Sequence, residues 1–192
     1  MPAAHALSMS SSTGGRGRDV SPRAAGTPCH SFHHDRNPMS ETPGPDGSDR
    51  SAILGLLTAY VFGLDHRDFT SVASVFTEDA EVENVFDAYL AEGTQFSGLT
   101  TGGSAVADGA RQLFRSLDAT QHLLGAQTVE FTDAGAHAST QIVAHHHRGG
   151  RYYHTGGTYE DDLVRAADGW RISRRTLRIH WTTGSPDVFL SS

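Results

Sequence analysis

Three consecutive histidines, His145, His146 and His147, close a run whose alternate residues are small and apolar: Ala138, Thr140, Ile142 and Ala144 lead to His146. The intervening positions, His137, Ser139, Gln141, Val143, His145 and His147, are mostly polar. Side chains of a strand alternate between its faces. His146 is therefore expected to face an interior, and its two neighbours to face away from it. Adjacent strand residues cannot converge on one ion, so the run is not read as a metal site and no metal is expected. His122, in Thr120-Gln121-His122-Leu123-Leu124-Gly125, is a second candidate, with a histidine held by a backbone partner as the alternative reading. Asp65 reads on helix geometry as a solvated residue of the turn Asp65-His66-Arg67-Asp68. It nevertheless sits about 40° outside the apolar stripe, beside Val61 and Leu54, and can turn inward. Tyr60 lies within that stripe, either as a core aromatic or as a phenol donating to a substrate oxygen.

The composition removes several other chemistries. All fifteen basic residues are Arg, so a Schiff-base lysine, a lysine base and a phosphate-binding P-loop are excluded. Cys29 is the single cysteine, which rules out an intrachain disulfide and a thiolate zinc site. The net charge of −7 disfavours nucleic acid as a partner. No apolar run approaches the ~18 residues of a membrane span, and the N-terminus lacks the order of a secretory signal. A cytoplasmic protein acting on a small molecule is the expectation, with no cofactor, no membrane partner, and a homo-oligomer (dimer or trimer) as its state.

The elements that must carry these residues follow from periodicity. Residues 1–48 are rich in Gly, Ser, Pro, Thr and Arg and are read as a disordered tail, with 49–187 as the domain. His30, His33 and His34 lie in that tail beside Cys29 and are read as part of a solvated stretch, a metal tract being the alternative. Met39 is a second candidate start. Ile53, Leu56, Leu57, Tyr60, Val61 and Leu64 recur at helical spacing, predicting a helix capped by Ser48 or Asp49. A short helix buries Phe69, Val72, Val75 and Phe76, and residues 80–86 are extended. The Gly- and Thr-rich stretch from Asp87 to Gly103 reads as a long loop and a candidate lid. A third helix spans Ser104–Leu117. Strands are expected over 120–131, 136–148, 151–165 and 169–182. The last of these changes parity between Trp170/Ile172 and Leu177/Ile179/Trp181, which implies a bulge near Arg174-Arg175. The sum is α+β: a cone-shaped barrel of curved, mixed or antiparallel sheet, wrapped by three N-terminal helices and enclosing a pocket.

Five segments together carry a resemblance. They are Tyr60-Val-Phe-Gly-Leu-Asp65-His-Arg-Asp68-Phe69, Val75-Phe76-Thr-Glu-Asp79-Ala80, Thr120-Gln-His122-Leu-Leu-Gly125, Gln141-Ile-Val-Ala-His-His146-His-Arg148 and Asp168-Gly-Trp170-Arg-Ile172. From Ser51 to about Trp181 the chain resembles the SnoaL-like branch of the nuclear-transport-factor-two superfamily. That branch includes scytalone dehydratase, bile-acid dehydratases, hexachlorocyclohexane dehydrochlorinase and polyketide cyclases. The resemblance to scytalone dehydratase implies an Asp and two His in the pocket, at Asp65, His122 and His146. The resemblance to the bile-acid dehydratases implies Tyr60 as their companion. The substrate-binding positions of scytalone dehydratase fall on Asn84, Thr158 and Glu160, and a second of its tyrosine positions falls on Leu64. These departures imply a different substrate.

Such a centre supports acid–base chemistry. A carboxylate beside an imidazole fixes its tautomer and raises its basicity, and an apolar pocket strengthens both effects. The reading is a cofactor-free, dehydratase-type lyase acting on a cyclic or polyketide-like hydroxy-carbonyl compound. A cyclase or isomerase using the same residues is one alternative. A ligand-binding module, or a partner resembling the β-subunit of a ring-hydroxylating dioxygenase, is another.

Overall fold

The computed structural model describes residues 45–90 and 97–190. Most of the expected tail, the residues around Cys29 and the centre of the expected lid lie outside these residues.

Helix α1 runs over Pro45–His66. It starts before the expected cap, with Pro45 at its first position, where the fixed φ of proline suits a helix and no N–H is needed. Asp49 is thus inside the helix and has another task. Its carboxylate accepts from the Trp170 indole N–H at 3.3 Å and pairs with Arg165, tying α1 to the far end of the sheet. Ile53, Leu57, Tyr60, Val61 and Leu64 form the buried stripe, as their spacing implies.

Helix α2, Phe69–Ser74, is capped by the Asp68 side chain on the Ser71 N–H. It ends before Val75 and Phe76, which had been expected on its buried side. Phe76 instead opens strand β1, Phe76–Phe86, and both side chains remain buried. The stretch after β1 is more structured than a plain loop. Ala88–Leu90 forms a 3-10 turn, and Gly98–Thr101 forms strand β2, antiparallel to β1. Helix α3, Gly103–Phe114, stops three residues short of the expected Leu117.

Strands β3 (Ala119–Thr132), β4 (Gly135–Arg148), β5 (Arg151–Ala166) and β6 (Gly169–Gly184) form an antiparallel meander. β1 joins β6 in parallel, giving a mixed six-stranded sheet in the order β2-β1-β6-β5-β4-β3. The sheet is open at its edges and does not close into a full barrel, and the expected α+β cone of curved, mixed sheet under N-terminal helices is the fold that forms. The helices cover its inner face: α1 packs on β3 and α2, α2 on α3, and α3 on β1.

The expected bulge in β6 exists, and there are two. Pairing with β5 skips Ser173 and again His180, so each is an extra residue in the β5–β6 register. The first turns Arg175, Leu177 and Ile179 inward. The second turns Trp181 outward, correcting its expected parity, and lays its ring over Gly156, where a Cβ would come within 2.1 Å of the indole.

Candidate active site

Asp65 lies in the last turn of α1, and the turn is closed in an unusual way. The Asp68 N–H donates to Gly63 O at 2.9 Å and the Arg67 N–H to Leu64 O at 3.3 Å. This is the Schellman pattern, whose left-handed residue is normally glycine. Here it is Arg67, at φ 61°, the one non-glycine with positive φ among the described residues. The guanidinium explains the choice. Arg67 Nη1 donates to Leu64 O at 2.9 Å and to Thr120 Oγ1 at 2.7 Å, and its carbon lies 5.2 Å from the centre of the Phe114 ring.

Thr120 passes the hydrogen bond on, donating to Asp65 Oδ1 at 3.1 Å. The same carboxylate accepts from the His122 backbone N–H at 2.8 Å and meets His122 Nδ1 at 2.6 Å. Burial pushes the Asp65 carboxyl up, but the side-chain and backbone hydrogen bonds of His122, with help from Thr120, outweigh it and hold the carboxyl below its usual range. Because the carboxylate can only accept, His122 carries its proton on Nδ1, and Nε2 presents its lone pair on the other side of the ring.

That other side is a cavity of about 430 Å3, at the small end for ligand pockets. It is bounded by α1, α3, the inner face of the sheet and the residues around β2, and its lining is largely apolar. His122 and His146 both line it, with ring centres 5.5 Å apart and nearly perpendicular planes. His146 Nδ1 donates to Tyr153 O at 3.1 Å, so its Nε2 is also the bare nitrogen. Burial first, and then the neighbouring His122, lower His146 to about 3, so it is neutral at ordinary pH. Phe114 packs on both imidazoles, and Phe189 lies 5.0 Å from His146. Phe189 belongs to a 3-10 turn, Pro186–Phe189, started by the Ser185 side chain on the Asp187 N–H; this turn folds back over the pocket.

Tyr60 lines the cavity beside Tyr159. Beneath them lies an ion pair that the sequence reading missed. Arg175 donates from Nε to Asp161 Oδ1 at 2.6 Å and from Nη2 to Oδ2 at 2.8 Å, and both residues are almost fully buried. The guanidinium sits 4.3 Å from the Tyr60 ring and 4.1 Å from that of Tyr159, so two aromatic faces flank the cation. Burial raises both phenols, most strongly Tyr159, so they stay protonated at ordinary pH.

The expected residues thus divide. His122, His146, Tyr60 and Asn84 reach the cavity. Asp65 does not line it; it stands behind His122 and reaches the cavity through that ring. Thr158 and Glu160 are on the opposite face of the sheet, a correction to their expected place in the pocket. Even-numbered residues of β5 point outward, where Thr158 meets His180 Nε2 at 3.0 Å and Glu160 accepts from Ser139 at 2.9 Å and meets His137. The inward residues there are Tyr159 and Asp161. Their parity with Tyr153 and Leu163 was the available signal. Phe189 had only the Ser-Pro start of its turn to announce it, and nothing in the local sequence distinguishes Arg67.

No helix among the described residues is long and apolar enough to cross a membrane. The SnoaL-like domain model matches residues 46–176. An uncharacterized protein of Mycobacterium tuberculosis is 32% identical over 133 residues, covering 67% of this chain and 83% of its own. Among solved structures, a candidate scytalone dehydratase from Novosphingobium aromaticivorans superposes with a TM-score of 0.61 at 23% identity, covering 72% of this chain and 88% of that one. The hexachlorocyclohexane dehydrochlorinase LinA-type3 from Novosphingobium barchaimii gives a TM-score of 0.60 at 18% identity, covering 76% and 95%. These two likenesses establish a shared fold, and the family match establishes membership: this chain belongs to the SnoaL-like domain family.

Proposed function

We propose that the protein is a lyase of the dehydratase type, acting without a cofactor on a small cyclic or polyketide-like hydroxy-carbonyl compound. The observation that carries this reading is the Asp65–His122 dyad, whose outer carboxylate fixes the tautomer and turns the basic Nε2 into a small apolar cavity. In this reading His122 Nε2 removes the proton α to a carbonyl. The C–H electron pair becomes the new C=C bond, the β C–O bond breaks, and the departing hydroxide takes the proton back from His122 as water. Asp65 stabilises the transient imidazolium and is a positioning residue. In the same reading Tyr60 and Tyr159, which line the cavity, donate to the carbonyl oxygen as charge develops on it. His146 accepts from a substrate hydroxyl, and Asn84 contributes a polar contact at the far wall. Ring closure or isomerisation begins with the same proton removal, so a cyclase or isomerase remains the alternative outcome for this pocket.

The test is to incubate a panel of cyclic β-hydroxyketones with the protein in D2O. Enone formation and deuterium entry at the α-carbon would be followed by NMR. Both are expected with the wild type and absent with His122→Ala. Deuterium exchange without loss of water would favour isomerase or cyclase chemistry. Tight binding with neither would favour a binding module.

A further inference from the structure

The outer face of the sheet carries a second cluster of imidazoles, separate from the pocket. His145 and His147 leave β4 on the face opposite His146, and His154 leaves β5 directly across the ladder from His145. Each offers a ring nitrogen, and the three nitrogens lie within 4.8 Å of one another. His147 Nε2 and His154 Nε2 are 3.2 Å apart. The ring of His154 stands 4.4 Å from that of His145 and 5.1 Å from that of His147.

We propose that His145, His147 and His154 form a three-histidine site for a divalent transition-metal ion of the zinc class. In a tetrahedral site with Zn–N distances of 2.0–2.1 Å, ligand nitrogens lie about 3.3 Å apart. One edge of that triangle is therefore already set, and the others close by side-chain rotation without moving the backbone. Residues two apart on a strand and a third on the paired strand supply one ligand each from a rigid ladder, which limits the ordering cost of binding. Imidazole is a ligand type suited to zinc, copper and nickel, whereas magnesium and calcium require oxygens. Three protein ligands leave a fourth position open towards solvent, as His147 is exposed. The run of three histidines is thus divided: its middle member serves the cavity, and its outer two, joined by His154, make the metal site.

The experiment uses the untagged, full-length chain, stripped with chelator and titrated with ZnCl2 by calorimetry, with Co2+ absorption reporting coordination geometry. One zinc per chain and an intense, tetrahedral-type cobalt spectrum are expected. His147→Ala alters an exposed side chain and leaves packing intact. It, His145→Ala and His154→Ala should each weaken zinc by more than about tenfold, since losing even an outer-shell partner costs 10–100-fold. Zinc should also raise the melting temperature of the wild type, but not of these variants. His137→Ala, on the same face of β4, should bind like the wild type. Absent binding would overturn the proposal. So would binding that all three variants retain, which would place the metal on another set, such as His30, His33 and His34.

Discussion

Asp65 holds His122 at two points at once: Oδ2 accepts from the backbone N–H at 2.8 Å and Oδ1 takes ring Nδ1 at 2.6 Å. The carboxylate therefore sets both where β3 passes the end of α1 and which nitrogen of the ring is protonated. His122→Ala removes the base and should lower turnover roughly 10²–10⁴-fold. Asp65→Asn should lower kcat comparably while leaving KM little changed, because the residue does not touch the cavity. The Nδ1–H proton should resonate far downfield in the wild type and lose that shift in Asp65→Asn. The double variant should be little worse than the worse single one; additive losses would dissolve the dyad.

The same carboxylate predicts a pH dependence of stability. Its pKa is lower in the folded state, so its contribution is complete above the unfolded carboxyl value near 3.9 and is lost as pH falls through the folded value. Urea unfolding should find the wild type more stable than Asp65→Asn by about 1–3 kcal/mol at pH 7, in line with hydrogen bonds to charged groups. The gap should narrow towards pH 3. An unchanged gap would mean the carboxylate is not what stabilises the ring.

Arg67 opposes two effects that can be separated. Arg67→Gly removes a left-handed side-chain residue, worth roughly 1–2 kcal/mol of relief, but also unties Thr120. Its melting temperature should hold or rise while kcat falls. Arg67→Ala keeps the strain and loses the tie, so it should lose both. If the two variants behave alike in stability, the turn is not strained.

Asp161 and Arg175 are a buried pair, for which removal of one partner typically costs about 3–5 kcal/mol. Asp161→Ala and Arg175→Met should each approach that loss. The double change Asp161→Leu/Arg175→Met should recover much of it, because no unpaired charge then stays buried. Chemical denaturation of all three variants checks this.

His146→Ala should lower turnover strongly while His145→Ala, assayed in chelator-stripped protein beside stripped wild type, leaves it intact, which checks the register of β4.

How much of this was legible depended on whether a pattern ran unbroken. β4 alternates without interruption beside β5, so Ala138 to His146 declared its inner face correctly from sequence. The buried stripe of α1 was equally plain from Ile53 to Leu64. Thr158 and Glu160 were placed by resemblance alone, and a one-residue offset is enough to move a strand residue to the opposite face. Val75 and Phe76 kept their burial but changed element, since apolar residues at a helix–strand junction satisfy either period. Arg175 was obscured because an arginine at an inward position is rare, and its partner Asp161 lies fourteen residues away on the neighbouring strand.

The two extra residues of β6 bear on chain length. A deletion inside a regular strand reverses every side chain beyond it, trading core for surface. Ser173 and His180 stand outside the ladder, so either could be lost with Leu163 still opposite Ile172, Asp162 opposite Arg174, and Gly157 opposite Ile179. The strand would surrender some of its bend and keep its facing. Length variation among relatives is therefore expected to collect at these two positions, and a deletion scan along β6 should find them the most permissive.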